Sequence, residues 1–211
     1  MRYLVLTPDF PPGEGGVQTL LSVLAEGLAG RNDVTVVTPA ARGDCAYDES
    51  VAYSVSRYRG GGTRVGKTLR LLVSAVPWVL RCDVIFCGHI ATAPVGWLLG
   101  LLFRKPFFIY VHASEIAPQR YRKLFAFLLR RARGVATGSQ RSRDLIVSYF
   151  GIPRSDIDVV NPAVAPSLMR AALERGDSFQ FKRPGDKVVL SVGQLKRSIR
   201  YKGHDVVIET L

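Results

Sequence analysis

Arg2-Tyr-Leu-Val-Leu-Thr7, Pro8-Asp-Phe-Pro-Pro-Gly-Glu-Gly-Gly16, Val17 to Leu28 and Val34-Thr-Val-Val-Thr38 are the residues on which the fold is read. The first run is apolar, with β-branched and aromatic members, and has the length of one buried strand. The second gathers prolines and glycines and reads as a loop. The third sets Val17, Leu20, Leu21, Leu24 and Leu28 on one helical face. The fourth is a second strand. Strand, loop, helix and strand with short connections form a right-handed parallel βαβ unit.

The alternation continues outward from that unit. Val51 to Tyr58 reads as a strand and Val65 to Leu80 as an apolar helix that Pro77 is expected to kink. Asp83 to Cys87 is a strand ending at Gly88-His89, and Thr92 to Phe103 a helix. Pro106 to Val111 is a strand ending at His112, followed by an amphipathic helix over Gln119 to Ala132. Its apolar side is expected to carry Tyr121, Leu124, Phe125, Leu128 and Ala132, with basic residues opposite. Val135 to Ser139, Arg141 to Phe150 and Ile157 to Val160 repeat strand, helix, strand, and the last runs into Asn161-Pro162. Arg42 to Ser50 reads as a polar loop. The class is α/β: a Rossmann-like parallel sheet with helices on both faces. Residues 1–182 are expected to form one domain. Residues 183–211 are expected to begin another, after a polar linker containing Pro184-Gly185.

Composition narrows the setting. The chain has 211 residues and no apolar run approaching the roughly 18 of a spanning helix. Its N-terminus reads as a first strand rather than a signal peptide. Cys45, Cys82 and Cys87 show no metal-ligand spacing and cannot all pair, which points to a reducing, cytoplasmic setting. The net charge is +12. Arg104 to Arg143 holds ten Lys/Arg and one acid, Glu115, and Ser54 to Cys82 holds six Lys/Arg and no acid. Such faces either attract polyanions (nucleic acid, acidic lipid, a phosphorylated ligand) or are simply solvated.

In open parallel sheets ligands bind beyond the carboxyl ends of the strands. Those ends carry Gly13-Glu-Gly-Gly16, Gly88-His89, His112-Ala-Ser-Glu115, Gly138-Ser139 and Asn161-Pro162. The glycine loop lets a backbone approach a ligand, and the helix after it favours an anion, but a plain turn reads equally well. It lacks the dinucleotide spacing G-x-G-x-x-G and has no P-loop lysine. His112 is placed either to touch substrate oxygens or to cap a strand, and His89 is similarly placed. No G-x-S-x-G elbow or H-E-x-x-H pair supports a hydrolase or metalloenzyme reading. Val188-Val-Leu-Ser-Val-Gly-Gln-Leu195 and Arg200-Tyr-Lys-Gly-His-Asp-Val-Val-Ile-Glu209 then read as strand, glycine turn, basic loop and helix. Lys202 before helix-terminal amides suits a diphosphate, or belongs to a basic interdomain loop.

Taken together, these segments resemble the GT-B glycosyltransferases, specifically retaining family 4. The resemblance rests on Pro8…Pro11-Pro12…Gly15-Gly16-Val17, His112-Ala-Ser-Glu115, Thr137-Gly-Ser139, Val159-Val-Asn-Pro-Ala-Val164 and Leu190-Ser-Val-Gly193…Tyr201-Lys-Gly-His-Asp205. It covers nearly the whole chain in order. It implies an acceptor-side N-terminal domain and a nucleotide-sugar-binding C-terminal domain, with no metal or other cofactor. The donor would be a GDP- or UDP-linked hexose such as mannose or glucose. The acceptor would be a glycan or a lipid-linked sugar of cell-envelope polysaccharide or glycolipid synthesis.

The resemblance also implies roles. His112 would contact the transferred sugar and assist transfer. Gly15 and Gly16 would approach the diphosphate and sugar, and Lys202 with Arg200 would neutralise the diphosphate. Glu14, His89, Ser114, Glu115, Ser139 and Asn161 would line the acceptor-side pocket. Two departures stand out: Gln194 replaces the family's usual arginine, and the family's paired-glutamate motif is not in these residues. The chain is therefore expected to be an incomplete enzyme, either a truncated gene product or half of a split enzyme completed by a second chain, or a non-catalytic acceptor- or partner-binding half of a split enzyme. Basic faces such as Gln119 to Ala132 would give peripheral attraction to an acidic membrane. Nucleic acid ranks last, since charge alone suggests it. A nicotinamide oxidoreductase is disfavoured by the glycine spacing.

Overall fold

The structure is a computed structural model that describes residues 1–116, 121–163, 169–170, 173–174, 187, 189 and 204–210. The chain divides into two compact units, Met1–Ala165 and Pro166–Leu211. The division expected at 182/183 falls outside the described residues. Among the described residues of the second unit, His204–Glu209 forms a helix.

The first unit is built on seven parallel strands. They are β1 (Arg2–Leu6), β2 (Asp33–Pro39), β3 (Ser54–Tyr58), β4 (Val84–Cys87), β5 (Phe107–Val111), β6 (Gly134–Thr137) and β7 (Ile157–Val159). Their order across the sheet is β3-β2-β1-β4-β5-β6-β7. Order reverses between β1 and β4, where Leu4 sits opposite Ile85 and Leu6 opposite Cys87. At such a switch point neighbouring connections leave in opposite directions, and a crevice opens at the carboxyl edge.

Strand pleat sends alternate side chains to opposite cores. Leu4 and Leu6 enter one cluster with Ile85, Ile109 and Val111, while Val5 enters the other with Val34 and Val36. Helices α1 (Gly16–Ala29) and α2 (Asp44–Ser50) contribute to the second cluster. Helices α3 (Arg64–Val79), α4 (Ala93–Phe103), α5 (Arg122–Arg131) and α6 (Gln140–Phe150) contribute to the first. This is what right-handed crossovers require when β1 to β3 step one way and β3 to β7 the other.

Two expectations are corrected. Arg42 to Ser50 is not all loop, since α2 forms over Asp44–Ser50. Tyr47 of α2 meets Phe10 edge-on at 6.0 Å, and its hydroxyl lies 3.0 Å from that of Tyr53. Partners distant in sequence thus hold a helix that has no apolar period of its own. Helix α5 buries Ala126, Leu128 and Leu129, whereas Tyr121 and Leu124 are exposed. Its apolar residues nearly encircle it, so tertiary contact rather than period chooses the face. Its arginines are also engaged: Arg122 donates to the Tyr149 carbonyl at 2.6 Å, and Arg130 to those of Phe150 and Gly151 at 3.2 Å. Both serve the carbonyl-rich end of α6.

Candidate functional site

Every strand end named above lies on the carboxyl edge. The β1–α1 loop is anchored in its first half. Phe10 is buried between Tyr47 and Tyr53. Arg57, bidentate to Asp48 at 2.6 and 3.0 Å, also donates to the Pro11 carbonyl at 2.7 Å. The second half is open. Gly15 is the N-cap of α1, no side chain caps that helix, and its first turn holds no acid. The first-turn N–H groups therefore point outward without an intrahelical partner. Gly15 has φ 157°, and a Cβ there would collide with the Gln18 side chain. At Gly16 a Cβ would meet nothing within 4 Å. The protein itself does not require Gly16, so its missing side chain leaves space in front of the helix.

At the neighbouring strand ends the residues are pinned. Glu115 is only 7% exposed. Its Oε2 accepts from the backbone N–H of His112 at 3.0 Å and of Ile90 at 3.2 Å. One carboxylate thus ties the end of β5 to the turn after β4. Its Oε1 lies 2.8 Å from His89 Nε2. The contact is short but off the line of a good hydrogen bond, leaving that oxygen otherwise unpartnered.

The two histidines differ in their partners. The His89 Nδ1 accepts from the Ala91 N–H at 3.0 Å, so in the neutral ring the proton sits on Nε2, facing Glu115. Its Nδ1 is taken, and its Nε2 faces the carboxylate without a well-aligned hydrogen bond. The His112 Nε2 lies 2.9 Å from the Gly88 carbonyl, which can only accept, so Nε2 carries the proton. The same side chain faces the backbone N–H of Glu115 and closes a capping box with it. Tyr110 packs on the His112 ring at 5.0 Å, and its hydroxyl donates to the Val160 carbonyl at 3.1 Å. Burial pushes that phenol above its ordinary pKa.

Other predicted positions are spread along the edge. Ser139 caps α6, its Oγ accepting from the Ser142 N–H at 3.1 Å. Ser114, Glu14 and Asn161 are exposed. Lys202, Arg200 and Gln194 lie outside the described residues. Sequence reasoning missed Tyr110 and Arg57. An aromatic two residues before His112 on the same strand face was the available signal for the first. Nothing local marks Arg57 as the anchor of a loop forty-odd residues away. Among the described residues, no three His, Cys, Asp or Glu side chains converge as a metal-ion set.

The sequence profile of Glycosyltransferase Family 4 matches residues 14–168, from the open loop through the end of the sheet. The chain belongs to Glycosyltransferase Family 4. No curated protein matches the sequence. Among solved structures, HepE from Anabaena, crystallised with UDP-glucose, superposes with a TM-score of 0.63 at 20% identity, over 85% of this chain and 51% of HepE. Sucrose-phosphate synthase from Thermosynechococcus elongatus gives 0.57 at 14% identity, over 83% of this chain and 96% of that structure. UDP-N-acetylglucosamine 2-epimerase from Rickettsia bellii gives 0.53 at 11% identity, over 83% and 47%. These likenesses establish a shared Rossmann-like fold. The chain spans about half the length of HepE. Because an epimerase shares the architecture, the reaction must be argued from family membership and from the site.

Proposed function

We propose that this Family 4 chain provides the acceptor-side half of a retaining hexosyltransferase that uses a UDP- or GDP-sugar and works on a glycan or lipid-linked acceptor. The observation that carries the reading is the His112 ring at the carboxyl edge, held by the Gly88 carbonyl and by the Glu115 backbone, within a chain that belongs to Family 4. That ring would contact a hydroxyl of the transferred sugar, as the resemblance implies, and Glu115 sets its position through the backbone. Open N–H groups before α1, over the empty space at Gly16, suit a diphosphate whose charge grows as the sugar leaves. Departure and attack occur on the same face of the sugar, so configuration is retained without a carboxylate nucleophile. The reading invokes no metal and no cofactor beyond the sugar donor.

The test is a screen of UDP- and GDP-hexoses for transfer, with the chain alone and with the product of the neighbouring downstream gene. Transfer that falls about 100-fold or more in His112→Ala, within the span of general acid–base and positioning effects, is the expected result. An unchanged rate in that variant overturns the reading.

A further inference from the structure

We infer that α3 is a membrane-docking helix, whose outer face rests on an anionic lipid surface. The helix has 16 residues, about 24 Å at the usual rise. It carries two apolar stripes. Leu71, Ala75 and Val79 pack into the core. Val65, Leu69, Val73, Val76 and Leu80 recur at three- and four-residue spacing, yet are 37–78% exposed. Scattered exposed apolar side chains are ordinary, but a continuous helical stripe of them is not.

Charge selects the occupant. From Ser50 to Ser114 the chain holds eight Lys/Arg and one acid, Asp83. Asp83 is paired with Arg2 at 2.9 Å. Arg64, Lys67, Arg70 and Arg81 flank the stripe and are exposed. Beside Leu69 and Val73, the groove between α3 and the end of β3 is lined by Arg59 and Arg70, placing guanidinium groups next to apolar surface. Arg70 reaches the Gly61 carbonyl at 2.8 Å, which ties the glycine-rich turn to the helix. A basic helix with an apolar outer stripe matches the boundary between anionic headgroups and acyl chains. Helix α4 runs toward the same sheet edge and ends in Leu101 and Leu102, both exposed. By contrast, α5 directs Arg122 and Arg130 to α6. No described helix is long and apolar enough to cross a bilayer, so the contact is interfacial. The inference rests on the proposed lipid-linked acceptor for its purpose, but vesicle binding needs neither donor nor acceptor. Failure of the transfer assay therefore leaves it standing.

The experiment is co-sedimentation of the full chain with phosphatidylcholine vesicles, with and without phosphatidylglycerol. Wild type is expected to bind only the anionic vesicles, and less as salt rises. The double variant Leu69→Ser/Val73→Ser is expected to bind at least about tenfold more weakly, from the lost apolar burial. Leu124→Ser/Phe127→Ser on α5 is expected to bind like wild type. A fluorophore on Val73→Cys in a Cys45→Ser background is expected to blue-shift on anionic vesicles, and one on Leu124→Cys to stay unchanged. Any of three results overturns the inference: binding indifferent to lipid charge, no loss in Leu69→Ser/Val73→Ser, or no shift at position 73. So does a wild-type dimer that the double variant converts to monomer, since a second copy would then cover the stripe.

Discussion

The ends of β4 and β5 present two histidines on adjacent strands, and their surroundings separate them. His89 accepts from a backbone N–H and faces a buried carboxylate. His112 meets backbone groups, the Gly88 carbonyl and the Glu115 N–H. Position alone makes the two equivalent, and their partners tell them apart. The same contrast runs along the carboxyl edge. Glu115 pins two strand ends, while the β1–α1 loop is anchored at Phe10 and Arg57 and open at Gly16.

Separating the histidines by mutation gives the largest expected effect. His112→Ala should lower transfer by about 100-fold or more with little loss of stability. His89→Ala should lower the melting temperature while the folded fraction keeps most of its rate. Equal rate losses would erase the distinction. Glu115→Ala comes next. It leaves the N–H groups of Ile90 and His112 without their acceptor, at roughly 2–4 kcal/mol in denaturant unfolding. Glu115→Gln should cost less, because an amide oxygen can still accept. Gly16→Ala tests the open end. Stability should hold or rise by up to about 1 kcal/mol, as alanine favours a helix start over glycine, while the Michaelis constant for the nucleotide sugar rises about tenfold. Insensitivity to this change would mean the loop is only a turn. Ser139→Ala, removing the cap of α6, should cost about 1 kcal/mol. The smallest effect is chemical. Cys45 is exposed, while burial raises the Cys82 thiol and pushes that of Cys87 up to about 12. Native alkylation should therefore modify Cys45 and spare the other two.

Much of the fold was legible in the sequence. Apolar runs such as Leu4 to Leu6 and Ile109 to Val111 can satisfy their burial only in a sheet covered on its faces, and their alternation with helices fixes parallel pairing. The strand ends also placed the candidate residues on one edge, since that edge follows from topology. What stayed hidden depends on contacts across the chain. Helix α2 is held by Tyr47 against Phe10 and Tyr53. The face of α5 could not be chosen from a sequence apolar on several sides. The outer stripe of α3 was present in the periodicity but masked by the inner one, because Val65 to Leu80 is apolar on two faces. The orientation of the His112 ring rests on the Gly88 carbonyl, which no local pattern reveals.

The most direct measurement is long-range proton–nitrogen NMR of the histidine rings, recorded while a nucleotide sugar that the active assembly turns over is added to saturation. The account predicts that the His112 Nδ1 starts as an unprotonated acceptor and shifts with donor binding, while both His89 nitrogens stay in place. Movement of His89 with a silent His112 would contradict it.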